Sequence, residues 1–271
     1  MNAVKIGIDL GGTKVLMIAG GLEERFNTGS DFTPSQLETI LKAFIEKNHL
    51  NPNGIGIAIP GLLTADGGVV SCDVLPHFKG WNANKALSKF SPVVKAINDI
   101  RAALAQEFSD SEGNFTGGVI MVGTAVGAAF IVNGKPLVGD SGWAGEFGYF
   151  PLIINKEIKR IDEVCGGAFL AQQFNLTALE MYNLAKLEDE EVLCGIELAG
   201  YYLGVGIAGL VNLFNPKKIS IGGGTASLPG YWKGIEKGAR ENTLPEFWKD
   251  DLLDKVKNGS KVAALGAVSI L

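Results

Sequence analysis

The sequence predicts an α/β protein of two domains, and three observations carry that reading. Strands and helices alternate along the chain, which is the pattern of layered α/β folds. Each half opens with a β-hairpin closed by a turn of small residues, Asp9–Lys14 in the first and Gly123–Gly127 in the second. A polar stretch, Ser109–Phe115, breaks the chain between them as a linker would. At 271 residues and roughly 150 residues per domain, two domains fit. The expected division is 1–110, joined by a C-terminal helix over 260–271, and 111–259.

In the first half, Val4–Asp9 alternates as a strand and Val15–Ala19 returns beside it. Ser35–Lys47 then sets Leu37, Ile40, Leu41, Phe44 and Ile45 at helical spacing. Gly54–Ile59 reads as a strand ending at Pro60-Gly61, Asn84–Phe90 as an amphipathic stretch, Val93–Ile97 as a strand, and Asp99–Phe108 as the helix after it. The second half begins with Gly118–Val122 and Ala128–Val132, the latter turning at Asn133-Gly134, a strong hairpin signal. Helices are expected over Ala168–Phe174, Ala178–Lys186 and Glu190–Phe214. Lys218–Ile221 is a short strand running into Gly222-Gly223-Gly224, and helices follow to Leu271.

Composition narrows the function. With 24 Lys and Arg against 29 Asp and Glu, 20% charged and 46% hydrophobic residues, the chain is a folded acidic protein and not a disordered one. No lysine-rich stripe offers the cationic surface that nucleic-acid binding needs. The uncharged runs Gly117–Val132 and Leu198–Val211 are shorter than the ~20 residues of a membrane span. Cys72, Cys165 and Cys194 are odd in number and unevenly spaced, as expected of reduced thiols in the cytoplasm. His49 and His77 complete no metal spacing with them. A small-molecule partner is the expectation, with no nucleic acid, no membrane and no secretory signal.

Four motifs carry possible chemistry. Gly204–Gly209 matches G-x-G-x-x-G, but it lies within a helical stretch where that fingerprint needs a strand before it, so helix packing is its expected role. Asp9-Leu10-Gly11-Gly12-Thr13-Lys14 joins two strands with a tight turn whose backbone N–H groups can cradle phosphate oxygens; Thr13 and Lys14 add a hydroxyl and a charge, and Asp9 can hold a magnesium water. Gly123-Thr124-Ala125-Val126-Gly127 stands at the equivalent point of the second half. Asn98-Asp99 opens a helix after a strand, which fits an ordinary N-cap as well as a general base with its orienting amide.

Asp9–Lys14, Ile97-Asn98-Asp99 with Ala102-Ala103-Leu104, Gly123–Gly127, Gly142–Gly148 and Leu210–Gly224 together resemble the ROK family of bacterial sugar kinases and repressors over essentially the whole chain. The resemblance implies an actin-like (ribonuclease H-like) ATPase fold, two α/β domains around a central cleft. It implies ATP and Mg2+ as nucleotide and ion, with Asp9, Gly11, Gly12, Thr13, Lys14, Gly123, Thr124, Gly222, Gly223 and Gly224 around the ATP. The catalytic Asp falls on Asp99, and sugar contacts on Gly61, Asn98 and Glu146. The implied reaction is phosphorylation of a hexose or N-acetylhexosamine at C6 by a cytoplasmic homodimer.

Departures from the family are equally specific. Tyr149 stands where members carry a His, and Phe150–Ile161 contains no cysteine, so no zinc is expected. The second sugar-binding acid falls on Asp162, or on Glu163 if the count slips by one. Ala125, Ala128 and Ala129 replace glycines of the second turn, and a methyl at Ala125 would crowd a phosphate if φ there were positive. These changes leave a catalytically weak sugar sensor as the alternative. Only eight residues precede Asp9, fewer than the DNA-binding segment of the family's repressors would need.

Overall fold

The computed structural model describes residues 3–271. By contact the chain falls into two units, one of Met1–Asp110, Val138–Trp143 and Lys257–Leu271, the other of Ser111–Leu137 and Ala144–Val256. Val138–Trp143, which the sequence suggested would lie in the second domain, therefore belongs with the first unit. Trp143 Nε1 donates to Leu63 O at 3.2 Å and Arg101 donates to Val138 O at 3.3 Å.

The first unit is built on a sheet ordered β3-β2-β1-β4-β7. Its strands are β1 (Ala3–Leu10), β2 (Lys14–Ala19), β3 (Leu22–Asn27), β4 (Asn51–Ile59) and β7 (Val94–Asn98). β1, β2 and β3 form an antiparallel meander, while β1, β4 and β7 run parallel. The short strands β5 (Leu62–Leu63) and β6 (Val69–Ser71) pair outside this sheet. β4 is buried from Gly54 to Ile59, as expected of a parallel strand covered on both faces.

One cover is α1 (Pro34–Lys47), which starts in a capping box between Thr33 and Gln36 and buries Leu37, Leu41 and Phe44 one turn apart. The opposite cover is the C-terminal helix Val262–Ser269, which lies so close that a Cβ at Gly7 or Gly56 would overlap the carbonyls of Ala264 or Ala267. α2 (Ala83–Leu87) is shorter than the amphipathic stretch suggested, and α3 is Asp99–Glu107.

The sheet of the second unit repeats the plan in the order β10-β9-β8-β13-β14. β8 (Gly117–Val122) and β9 (Val126–Val132) are antiparallel; β13 (Lys218–Gly222) runs parallel to β8, and β14 (Leu253–Lys255) parallel to β13. Asn133 and Gly134, at φ 50° and 76°, turn β9 into the two-residue β10 (Lys135–Pro136).

β11 (Pro151–Ile154) and β12 (Glu157–Arg160) form a separate ribbon, followed by α4 (Asp162–Cys165), α5 (Gly167–Phe174), α6 (Ala178–Lys186), α7 (Glu190–Phe214) and α8 (Tyr231–Asn242). By length and hydropathy α7 passes the test for a membrane span, but half of its most apolar window is buried inside this unit. The Gly204–Gly209 fingerprint sits inside α7 and serves packing, as expected. A Cβ at Gly204 would come within 2.7 Å of Ala239 N on α8, and one at Gly206 within 2.6 Å of Ile161 Cδ1.

Strands β3, β11, β12 and β14 depart from the sequence reading. β3 extends the first hairpin into a meander because Gly20 and Gly21, both at positive φ, make a tight second turn. The β11–β12 ribbon turns through Asn155 and Lys156 at φ 52° and 68°, a left-handed pair without glycine. β14 is three residues long and lies where only helices were expected.

Candidate functional site

In the first unit the site grows from the ends of parallel strands. β1 delivers Asp9 to the start of the turn, which is held from both sides. Gly11 N donates to Lys14 O at 2.9 Å, Thr28 Oγ1 donates to Gly11 O at 2.7 Å, and Thr28 N donates to Thr13 O at 3.0 Å. Thr28 was not read from the sequence; its only signal would have been β3, whose end it follows. Thr13 and Lys14 are exposed at the tip.

β7 delivers Asn98 and Asp99 to the start of α3. Asn98 is the N-cap of α3: its Oδ1 accepts from Ile100 N at 3.0 Å and Arg101 N at 3.2 Å, while Nδ2 donates to Gly61 O at 3.1 Å. Asp99 is the first helical residue, and its Oδ1 accepts from Ile100 N at 2.9 Å. Gly61 has φ 95°, and a Cβ there would overlap Ser71 O, so only glycine lets this loop pass.

Asp9 and Asp99 feel each other. Burial, followed by the Asp99 carboxylate, pushes Asp9 up to about 7 against the opposing pull of Lys14. Burial likewise pushes the neighbouring Cys72 thiol up to about 11, which leaves it protonated and inert.

The second unit holds the other expected residues. Gly123 N donates to Ala125 O at 3.0 Å, closing the turn between β8 and β9. Ala125, Ala128 and Ala129 all keep negative φ, so the backbone here does not demand glycine. Gly222–Gly224 leaves the end of β13; Gly223 has φ 101°, and a Cβ on it would overlap Val122 O.

Glu146 and Tyr149 are both exposed, and the Arg160 guanidinium lies 4.9 Å from the Tyr149 ring centre. Arg160 donates to Glu163 Oε1 through Nε and Nη2 at 3.1 and 2.8 Å, so Glu163 is committed to a surface ion pair. Asp162 instead accepts from Val126 N at 2.6 Å, and burial raises its pKa. Among the described residues no three His, Cys, Asp or Glu side chains cluster in a way that could hold a metal.

Two mixed α/β units, each with a glycine-bearing turn after its first strand and a second parallel strand ending beside it, define the class of actin-like folds. Within that class, a model of the ROK family matches residues 5–271, and the chain belongs to the ROK family. It is 26% identical to an N-acetyl-D-glucosamine kinase of Yersinia enterocolitica over 88% of this chain and 89% of the relative. It is 24% identical to a glucokinase of Halalkalibacterium halodurans over 82% and 80%. The structure of a ROK family glucokinase from Streptomyces griseus, in complex with glucose and AMPPNP, superposes with a TM-score of 0.81 at 18% identity, covering 98% of both chains. The fold is thus the actin-like ATPase fold that the sequence resembles.

Proposed function

We propose that this chain is an ATP-dependent sugar kinase that phosphorylates a hexose or N-acetylhexosamine at its primary hydroxyl, C6, with Asp99 as general base. The observation that carries this reading is the placement of Asn98 and Asp99 at the end of β7, with Asp99 near enough to Asp9 to raise it. Asn98 caps α3, Asp99 Oδ1 accepts from Ile100 N beside it, and the Asp99 charge reaches Asp9, which sets a carboxylate at the end of β7 as the proton acceptor of this reading. Kinase relatives acting on glucose and N-acetylglucosamine support the substrate class.

In this reading Asp99 accepts the hydroxyl proton as the alcohol attacks the terminal phosphoryl group. Asn98 keeps one Nδ2 hydrogen for the sugar, and Gly61, Glu146 and Tyr149 complete its contacts. Gly11–Lys14 and Gly123–Thr124 hold the phosphates, and Gly222–Gly224 the adenosine side. Phosphoryl transfer asks little covalent chemistry of the protein, so positioning and charge neutralisation supply the acceleration.

Two carboxylates near enough for the Asp99 charge to raise Asp9 suit a hard divalent cation. Asp9 would hold Mg2+ through water, and the ion would neutralise phosphate charge. A homodimer in the cytoplasm is the assembly and location we infer from the family.

The test is an ADP-release assay across glucose, mannose, fructose, glucosamine and the N-acetylated amino sugars. Sugar-dependent turnover in wild type, cut ~10²–10⁴-fold in Asp99→Asn, is the expected result. Full activity in that variant overturns the role of Asp99. Thermal stabilisation by sugar without ADP release would make the chain a sensor.

A further inference from the structure

The turn between β8 and β9 has no acidic residue of its own, yet segments far along the chain hold it. Gly123 O accepts from Gly167 N at 2.8 Å and from Thr225 Oγ1 at 2.9 Å, and Thr124 O accepts from Ala168 N at 3.1 Å. Val126 N, the first amide past Ala125, donates to Asp162 Oδ1 at 2.6 Å. With those carbonyls drawn to the start of α5 and to Thr225, the amides of Thr124 and Ala125 donate to no backbone group among the described residues, and both residues are exposed. Successive N–H groups left free in a turn form an anion-binding concavity.

Asp162 is fixed in this role. Gly148 lies against its carboxylate so closely that a Cβ there would overlap both oxygens. A short N–H···O⁻ bond is roughly twice as strong as a neutral one, so the carboxylate is a firm anchor for the strand that leaves the turn.

We propose that Asp162 is a positioning residue for the nucleotide's phosphate groups, acting through Val126 N on the turn Gly123–Ala125, where the family resemblance would make it a sugar ligand. This rests on the reading of the chain as an ATP-dependent sugar kinase. Asp162→Ala releases the anchor, whereas Asp162→Asn keeps an acceptor oxygen at the same reach. Thr225→Val loosens the same turn at Gly123 O and leaves every carboxylate in place.

The experiment varies ATP and sugar separately in steady-state kinetics. In parallel, binding of a non-hydrolysable ATP analogue without sugar is measured by calorimetry. Asp162→Ala should raise the KM for ATP and the Kd of the analogue about tenfold, the scale of a lost charged hydrogen bond, with the KM for sugar within about twofold of wild type. Asp162→Asn should recover most of that loss, and Thr225→Val should move the same two constants in the same direction.

A rise in the sugar KM with ATP constants unchanged overturns the proposal, as does no change in any constant. Should Asp162→Ala fail to fold, Thr225→Val decides. If wild type turns over no sugar but binds the analogue, the kinase reading fails and the calorimetric arm alone judges Asp162. If wild type binds no analogue, both fall.

Discussion

The two turns at Asp9–Lys14 and Gly123–Gly127 look alike in sequence and are held in different ways. The first is supported locally: its acid is Asp9, the last polar residue of the strand that enters it, and its carbonyls are tied by Thr28 less than twenty residues on. The second borrows its support, with the acid 36 residues away at Asp162 and the hydroxyl 102 residues from Gly123 at Thr225. A hairpin can thus keep one backbone purpose while its anchors move from neighbouring strands to helices that arrive later in the chain. Damage to the first turn should therefore come from nearby substitutions, and damage to the second from distant ones.

The largest effect that sharpens this contrast is expected at Gly223. Gly223→Val meets both a φ of 101° and an overlap with Val122 O, at the strand that enters the second turn. It should cost upwards of ~3 kcal/mol, combining backbone strain with overpacking, and denaturant melts would read it. A near-neutral result would mean that β8 and the Gly222–Gly224 segment can part without loss.

Next comes the titration that marks the first turn. Folded Asp9 keeps its proton up to about 7, while the unfolded chain releases it near the ordinary carboxyl value of 3.8. The proton-linked stabilisation is therefore complete below about 4 and lost as pH rises through about 7. Without nucleotide, the melting temperature of wild type relative to Asp9→Asn should fall across that window and level off above it. A flat difference would mean that neither burial nor the Asp99 charge raises the Asp9 carboxyl.

The smallest effect is at Thr28. Thr28→Val removes the hydroxyl bond to Gly11 O but keeps the backbone bond to Thr13 O, so about 0.5–1.5 kcal/mol should be lost. Calorimetric melting would show it, and a larger drop would mean that the first turn leans on a single side chain.

Much of this was legible because its signals are local. The helix expected over Glu190–Phe214 has those ends in the structure, with an acidic first turn and Asn215-Pro216 just beyond it. The strand before Asn98-Asp99 and the helix after it were equally plain, and the N-cap reading of the pair holds for Asn98, with Asp99 Oδ1 also accepting from Ile100 N.

What the sequence hid is long-range or left-handed without glycine. The Asn155-Lys156 turn has no glycine to betray it, and β14 is a strand only because β13 lies beside it. The bond from Val126 to Asp162 joins residues whose types say nothing of each other. Likewise Val138–Trp143 returns to the first unit through Trp143 and Leu63, an attachment no periodicity encodes.

The helix Val262–Ser269 has one more consequence. It covers β1 and β4, elements made before any part of the second unit, through contacts that leave no room for a side chain at Gly7 or Gly56. While the ribosome works, that sheet face stays bare until residue 269 has emerged, whereas every residue of the second unit has already been made by Val256. The half begun first is the half finished last, and a nascent chain stalled before the final helix would carry an uncovered sheet for chaperones to guard.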